Sequence, residues 1–382
     1  MKTVFAIGVI GLIVLEIALV YFIMPLPGSQ RMESIDVAYA LYDWRWPLRA
    51  VFVGMLLGGA LFGWRKGGQR RWVVPASLVV VVVVAYMTNF RMAADRIFLP
   101  PTVLSMQPAE RNTVAMDRLV VGVEVNGSAR AYPLQFIGYH HQVRDTVGGQ
   151  PIMVSYCTVC RTGRVFRPVV DGRVQRFRLV GMDHFNAMFE DQATGSWWRQ
   201  ANGEAVAGEH KGKTLPEIPS RQVTLKRWLA LYPNSLIMQA DSTFAEEYAE
   251  DYAFERGTSR KTLTGTDTLS WKDKSWVVGL TVNDRSKAYD WNRLRRERVV
   301  NDEVGGKPIV VVLASDDASF FAFERPDAAT VFSLRGDSLV AVEPKRAYAL
   351  SGRGAAGRLK PVNASQEFWH SWRTFQPQTG RY

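Results

Sequence analysis

"VVGVEVNGSARAYPLQ" (residues 120–135) and "VVGLTVNDRSKAYDWN" (277–292) are one pattern written twice in the same chain. The match runs on without a gap at a constant offset of 157, laying "RDTVGGQPIMV" (144–154) on "NDEVGGKPIVV" (301–311). From Val120 to Val154, 15 of 35 positions are identical, where chance gives roughly two. A weaker likeness, "RWLALYPNS" (227–235) to "SWRTFQPQT" (371–379), marks the ends of the repeated stretches. Apolar runs at 118–125, 151–156 and 163–170, punctuated by "NG" and "VGG", predict strands joined by turns. "TLKRWLALYP" (224–233) predicts a short helix. The fold class is therefore α+β and mostly β: a tandem duplicated β-rich domain with copies at 93–240 and 271–382, joined by a linker at 241–270.

Duplication separates structure from chemistry, because what the fold needs recurs and what the chemistry needs does not have to. Tyr132/Tyr289, Asp145/Asp302 and Pro151/Pro308 recur and are assigned to structure, with Gly148 and Gly149 expected at positive φ. Cys157 falls on Ala314, Cys160 on Asp317, His140 on Glu297 and His141 on Arg298. The second copy lacks the cysteines and histidines of the first.

Residues 1–92 read as three transmembrane helices at about 4–24, 46–64 and 72–90. The first has one interruption, Glu16, and no small-residue cleavage site follows it, so it is an uncleaved anchor. Glu16 is expected as a neutral carboxyl hydrogen-bonded to a neighbouring helix. In the second, Trp46, Pro47 and a snorkelling Arg49 extend a short apolar run. Its glycines (Gly54, Gly58, Gly59, Gly63) suit close helix packing. Four basic residues in "RKGGQRR" (65–71) place that turn, and the N-terminus with it, in the cytoplasm. Everything after about residue 92 then faces the periplasm, across a bacterial inner membrane.

A net charge of +11 spread through every segment, with no Lys/Arg stripe, argues against nucleic-acid binding. There is no GxSxG elbow and no HExxH, which disfavours a hydrolase. Cys157 and Cys160 are the only cysteines, too few for a disulfide framework. They lie between a strand ("IMVSY") and another ("RVFRP"), at a knuckle and not at a helix start, so Arg161 and Arg164 are the nearby cations available to lower a thiol pKa. Two readings follow. A soft-metal centre takes Cys157, Cys160 and His140 with His184 and Met182, copper being preferred to zinc, in metal binding or delivery. A reversible dithiol uses the same two cysteines catalytically, as in a thiol–disulfide oxidoreductase. Partners are the membrane and a redox or metal-delivery protein. A third reading is a non-catalytic scaffold in which the CxxC is a remnant. His141, His210 and His370 are assigned no role, and Trp197 and Trp198 are assigned to the core.

At "AYPLQFIGYHHQVRDTVGGQPIMVSYCTVCRTGRVF", "DHFNAMFEDQATGSWWRQANGEAVAG" and "RWLALYPNS" the chain resembles the bacterial and archaeal family known as domain of unknown function 3179. The resemblance carries the family's His and YCxxC onto His140, Cys157 and Cys160. Some members bear selenocysteine at this motif, which implies redox chemistry. "CTVCRTG" departs from the commoner "CPLCGTA" in the Pro and Gly that tighten a metal knuckle, and His141 stands where an acidic residue is usual. The resemblance names no substrate.

Overall fold

A computed structural model describes residues 2–65, 72–341 and 343–382. The chain is mostly β, with several sheets and a helical N-terminal region. It divides into two compact units: residues 1–99, 176–199 and 204–213 form the first, and 100–175, 200–203 and 214–382 the second.

The first unit begins with helices α1 (Lys2–Tyr21), α2 (Ile35–Asp43), α3 (Arg45–Arg65), α4 (Val73–Tyr86, continued as a π-turn over Met87–Arg91) and the single turn α5 (Ala94–Ile97). Thr3–Tyr21 and Val73–Arg91 are long and apolar enough to cross a membrane. The second expected span falls on α3. The basic turn expected to fix orientation lies, from residue 66 to 71, outside the described residues.

Two local expectations need correction. Arg49 does not snorkel: its Nε and Nη2 meet the Glu16 carboxylate at 2.6 and 2.8 Å, and Asn89 Nδ2 donates to the same carboxylate at 2.7 Å. A carboxylate on an apolar helix face needs a partner, and a guanidinium one helix away supplies two hydrogen bonds. The small residues that let the helices close up lie mainly on α1. A Cβ on Gly8 would meet the Leu56 backbone at 2.5 Å and one on Gly11 would meet Phe52 at 2.4 Å, whereas Gly54 and Gly58 face open space. In α3, Gly59 makes a close contact, against Phe5.

The remainder of this unit is an antiparallel sheet in the order 205–207, 197–199, 186–191, 177–183. These strands lie inside the stretch read from sequence as the first copy. They join the first unit because α2 packs its apolar face on them: Tyr39 meets Trp197 edge-on at 5.0 Å between ring centroids. Trp197 and Trp198 are fully buried.

In the second unit, the hairpin Leu119–Val125/Ser128–Pro133 leads into α6 (Leu134–His140) and then the sheet Gln142–Val147, Gln150–Cys157, Thr162–Phe166. After α7 (Leu225–Leu231), the hairpin Trp276–Val282/Arg285–Asp290 leads into α8 (Trp291–Glu297) and Val299–Val304, Lys307–Leu313, Phe320–Glu324. The neighbours agree as well. Ser220–Thr224 pairs antiparallel with the first hairpin, and Leu236–Met238 pairs parallel with it. Ala364–Phe368 and Gly380–Arg381 do the same for the second.

Helices α7 and α9 (Trp369–Phe375) each lay a tryptophan on a strand glycine. A Cβ on Gly122 would come within 2.3 Å of Trp228, and one on Gly279 within 2.3 Å of Trp372. Each indole Nε1 donates to a hydroxyl seven residues on, Ser235 at 2.7 Å and Thr379 at 2.8 Å. Helices α6 and α8 were not anticipated. Both are seven residues long, too short for a 3.6-residue period to stand out.

Candidate functional site

The cysteines sit at the tip of a hairpin. Cys157 ends the strand Gln150–Cys157 and pairs with Thr162, and residues 158–161 make the turn. Arg161 closes it at φ 58°, a left-handed position that an arginine takes only when the surroundings hold it there. Its guanidinium is committed on three sides, donating to Gln366 Oε1 (2.8 Å) and to the carbonyls of Phe254 (2.7 Å) and Glu255 (3.0 Å). It also lies 3.7 Å from the Trp276 ring centroid. Arg164 is spent on Glu367 at 2.6 Å and Glu217 at 3.2 Å. The two arginines expected to act on the thiols therefore hold the turn in place instead.

Both cysteines are free and fully buried. The contacts over this turn come from Lys274 and from residues 366–371, besides the carbonyls of Phe254 and Glu255 that hold Arg161. Phe368 N donates to Cys160 O at 2.9 Å. Lys274 Nζ donates to Val159 O at 2.7 Å and Leu263 O at 2.6 Å, and sits 4.7 Å from the Phe368 ring centroid. His370 places Nε2 3.3 Å from Val159 O and 3.4 Å from Lys274 Nζ. Ser371 hydrogen-bonds Cys160 and donates to Glu367 Oε2 at 2.9 Å.

Burial pushes the Cys160 thiol well up, and its hydrogen bond to Cys157 works in the same direction, against Ser371 and Lys274. Burial pulls Lys274 below the ordinary lysine range, opposed by the two sulfurs. Burial and the adjacent Lys274 hold His370 down at about 4, so its imidazole is neutral. The Tyr156 hydroxyl, beside this pair in sequence, is buried without a hydrogen-bond partner among the described residues. Burial raises its pKa above the ordinary phenol range.

Among the described residues there is no group of three or more His, Cys, Asp or Glu side chains that could hold a metal ion. His140 ends α6, where its Nε2 lies 2.8 Å from the Tyr248 hydroxyl and its ring meets Phe244 and Tyr248 edge-on. Two strands separate it from Cys157. His184 and Met182 belong to the first unit. His184 Nδ1 lies 2.6 Å from Asp183 and its Nε2 3.4 Å from Glu33, which raises its pKa chiefly through the Asp183 hydrogen bond. Met182 is buried, its N–H donating to Ile23 O at 2.7 Å.

Sequence reasoning missed Lys274, His370 and Ser371. The clues in the sequence were residues matched at the 157-residue offset, and these three lie outside the stretch 277–311 over which that match is strong. The one available signal was the weak match at 371–379, which marks a helix end but not what it touches.

The family model described as protein of unknown function (DUF3179) matches residues 100–379. No curated protein matches, and no solved structure matches.

Proposed function

The chain belongs to the DUF3179 family, and we propose that its function is thiol–disulfide chemistry at Cys157 and Cys160. The observation that carries this reading is the placement of both cysteines, buried together at one hairpin tip, under a lysine whose Nζ donates to the carbonyl of Val159 between them at 2.7 Å. A merely structural pair has no use for a lysine, an imidazole and a serine gathered over it at the cost of burying them. The soft-metal reading is less favoured, because among the described residues no group of three or more His, Cys, Asp or Glu side chains could hold a metal ion.

Burial and the neighbouring Cys157 both hold the proton on Cys160, so Cys157 is assigned as the attacking sulfur and Cys160 as the resolving one. A partner disulfide is cleaved by Cys157 to a mixed disulfide, and Cys160 then displaces the second partner sulfur. The products are the Cys157–Cys160 disulfide and two partner thiols, and the two protons pass from this chain's sulfurs to the partner's. Access requires Ala364–Phe375 to part from the turn, because both sulfurs are closed off from solvent.

The second unit is read as a duplication whose second copy gave up the cysteines and became the cover for the first. Residues 1–92 are read as a membrane anchor of three spans at about 4–24, 46–64 and 72–90, with the N-terminus cytoplasmic. Residues after about 92 then lie in the periplasm, where an oxidising poise suits a dithiol.

The test is a thiol count beside metal analysis on the full chain in detergent. Wild type is expected to show two thiols after reduction and denaturation, none after oxidation, and no stoichiometric metal. Cys157→Ser is expected to retain one thiol that oxidant does not remove as an internal disulfide. A stoichiometric metal lost in Cys157→Ser, or thiols that never pair, overturns the reading.

A further inference from the structure

A separate cavity of about 160 Å³ lies in the second unit, away from the cysteines in sequence. Its walls include Trp228, Tyr232, Phe321 and Pro361, and two guanidinium groups line it, Arg221 and Arg358. Arg221 is held in place by the Tyr232 hydroxyl and lies 5.4 Å from the Phe321 ring centroid. Neither arginine is ion-paired among the described residues. Arg358 is exposed, its backbone pairing with Arg353, and its guanidinium makes no hydrogen bond among the described residues. The carboxylate in the lining, Glu124, uses Oε1 to accept from Gly127 N at 2.7 Å.

The two like charges facing the cavity repel each other and burial disfavours the charged form of Arg221, which Tyr232 and Glu124 offset only in part. An anion between them reverses both penalties at once, since a guanidinium binds carboxylate or phosphate through charge-assisted hydrogen bonds. The walls add a second requirement. Indole, phenol and phenyl faces give nothing to an inorganic ion and favour a flat apolar body. A cavity of roughly 150 Å³ accepts a molecule the size of benzene.

We propose that this cavity is a binding site for a small organic anion, a single carboxylate or phosphate on a flat apolar body, gripped by Arg221 and Arg358. The lining draws on both the strand Ser220–Thr224 and the segment 358–364, so both repeated stretches contribute to it. The proposal is independent of the thiol chemistry above.

The test uses the full chain in detergent, titrated calorimetrically with benzoate, with phenyl phosphate and with the neutral isostere benzamide. One of the anions is expected to bind at one per chain, and benzamide about tenfold more weakly or worse. Arg221→Gln and Arg358→Gln are each expected to weaken the anion by about tenfold. Arg358 is exposed, so its variant keeps the test decisive if Arg221→Gln fails to fold. The proposal is overturned if neither anion saturates below about 10 mM, if benzamide binds equally well, or if Arg358→Gln leaves the affinity unchanged.

Discussion

Lys274 Nζ donates to the carbonyl of Val159 at 2.7 Å, in the middle of the Cys157–Thr–Val–Cys160 turn. A residue 115 positions away thus supplies the cation whose field pulls the Cys160 thiol down against its burial. Lys274→Met is expected to slow alkylation of the dithiol at fixed pH, by about tenfold for each unit by which the thiol pKa rises. Lys274→Arg is expected to restore most of the rate. Equal rates in Lys274→Met and wild type would remove Lys274 from the chemistry.

The stability of the chain is expected to fall on mild acidification. Burial holds His141 and His370 at about 4 in the folded state, against about 6.5 when unfolded. The unfolded chain therefore takes up protons that the folded chain refuses as pH drops from about 6.5 towards 4, at about 1.4 kcal/mol per pH unit for each imidazole. His184 is raised and works the other way, adding stability at low pH that is lost as pH rises. Thermal midpoints of the full chain in detergent, read at about pH 7.5, 6 and 5, should decline, and less steeply in His370→Gln. A flat profile would refute the burial argument.

Breaking the Glu16–Arg49 pair is expected to cost more than replacing it. Arg49→Gln leaves the buried Glu16 uncompensated and should lose about 3–5 kcal/mol, and Glu16→Gln, which leaves the half-buried Arg49, should lose less. Glu16→Gln/Arg49→Gln together should lose less than the sum, because two amides can still hydrogen-bond. A double-mutant cycle from unfolding in detergent measures the coupling, and additivity would show that the pair is not a unit.

Gly122→Ala and Gly279→Ala are expected to destabilise by about 1–3 kcal/mol each, since the added methyl enters the space of Trp228 or Trp372. Gly54→Ala, which faces open space, is the control and should be neutral or slightly stabilising through helix propensity. The lowering of the thermal midpoint checks all three, and unequal costs at Gly122 and Gly279 would mean that the two tryptophan seats are not equivalent.

The proposed topology is checked by fusions. A reporter joined after residue 95 should register export and one joined after Gly68 should register cytoplasm. A cytoplasmic signal from the later fusion would remove the oxidising compartment from the argument.

What the sequence determined by itself is whatever short-range sterics decide. "VGG" at 147–149 and 304–306 forces two left-handed turn residues, and Gly148 and Gly305 adopt φ 54° and 57° with their carbonyls accepting from Asn126 and Asn283. The period-2 runs became strands, Trp228 became the anchor of a short helix, and two hydrophobic runs became helices long enough for a membrane. All of these are set within a few residues of chain. Tertiary structure alone decided which groups meet. Glu16 found Arg49, Arg161 turned from the thiols to Gln366, and Lys274, His370 and Ser371 closed over the cysteines. The physical reason is that a buried polar group must find a partner wherever the packed core brings one within about 3 Å. Residues far apart in sequence are brought that close by the packing of the sheets, which local pattern does not encode.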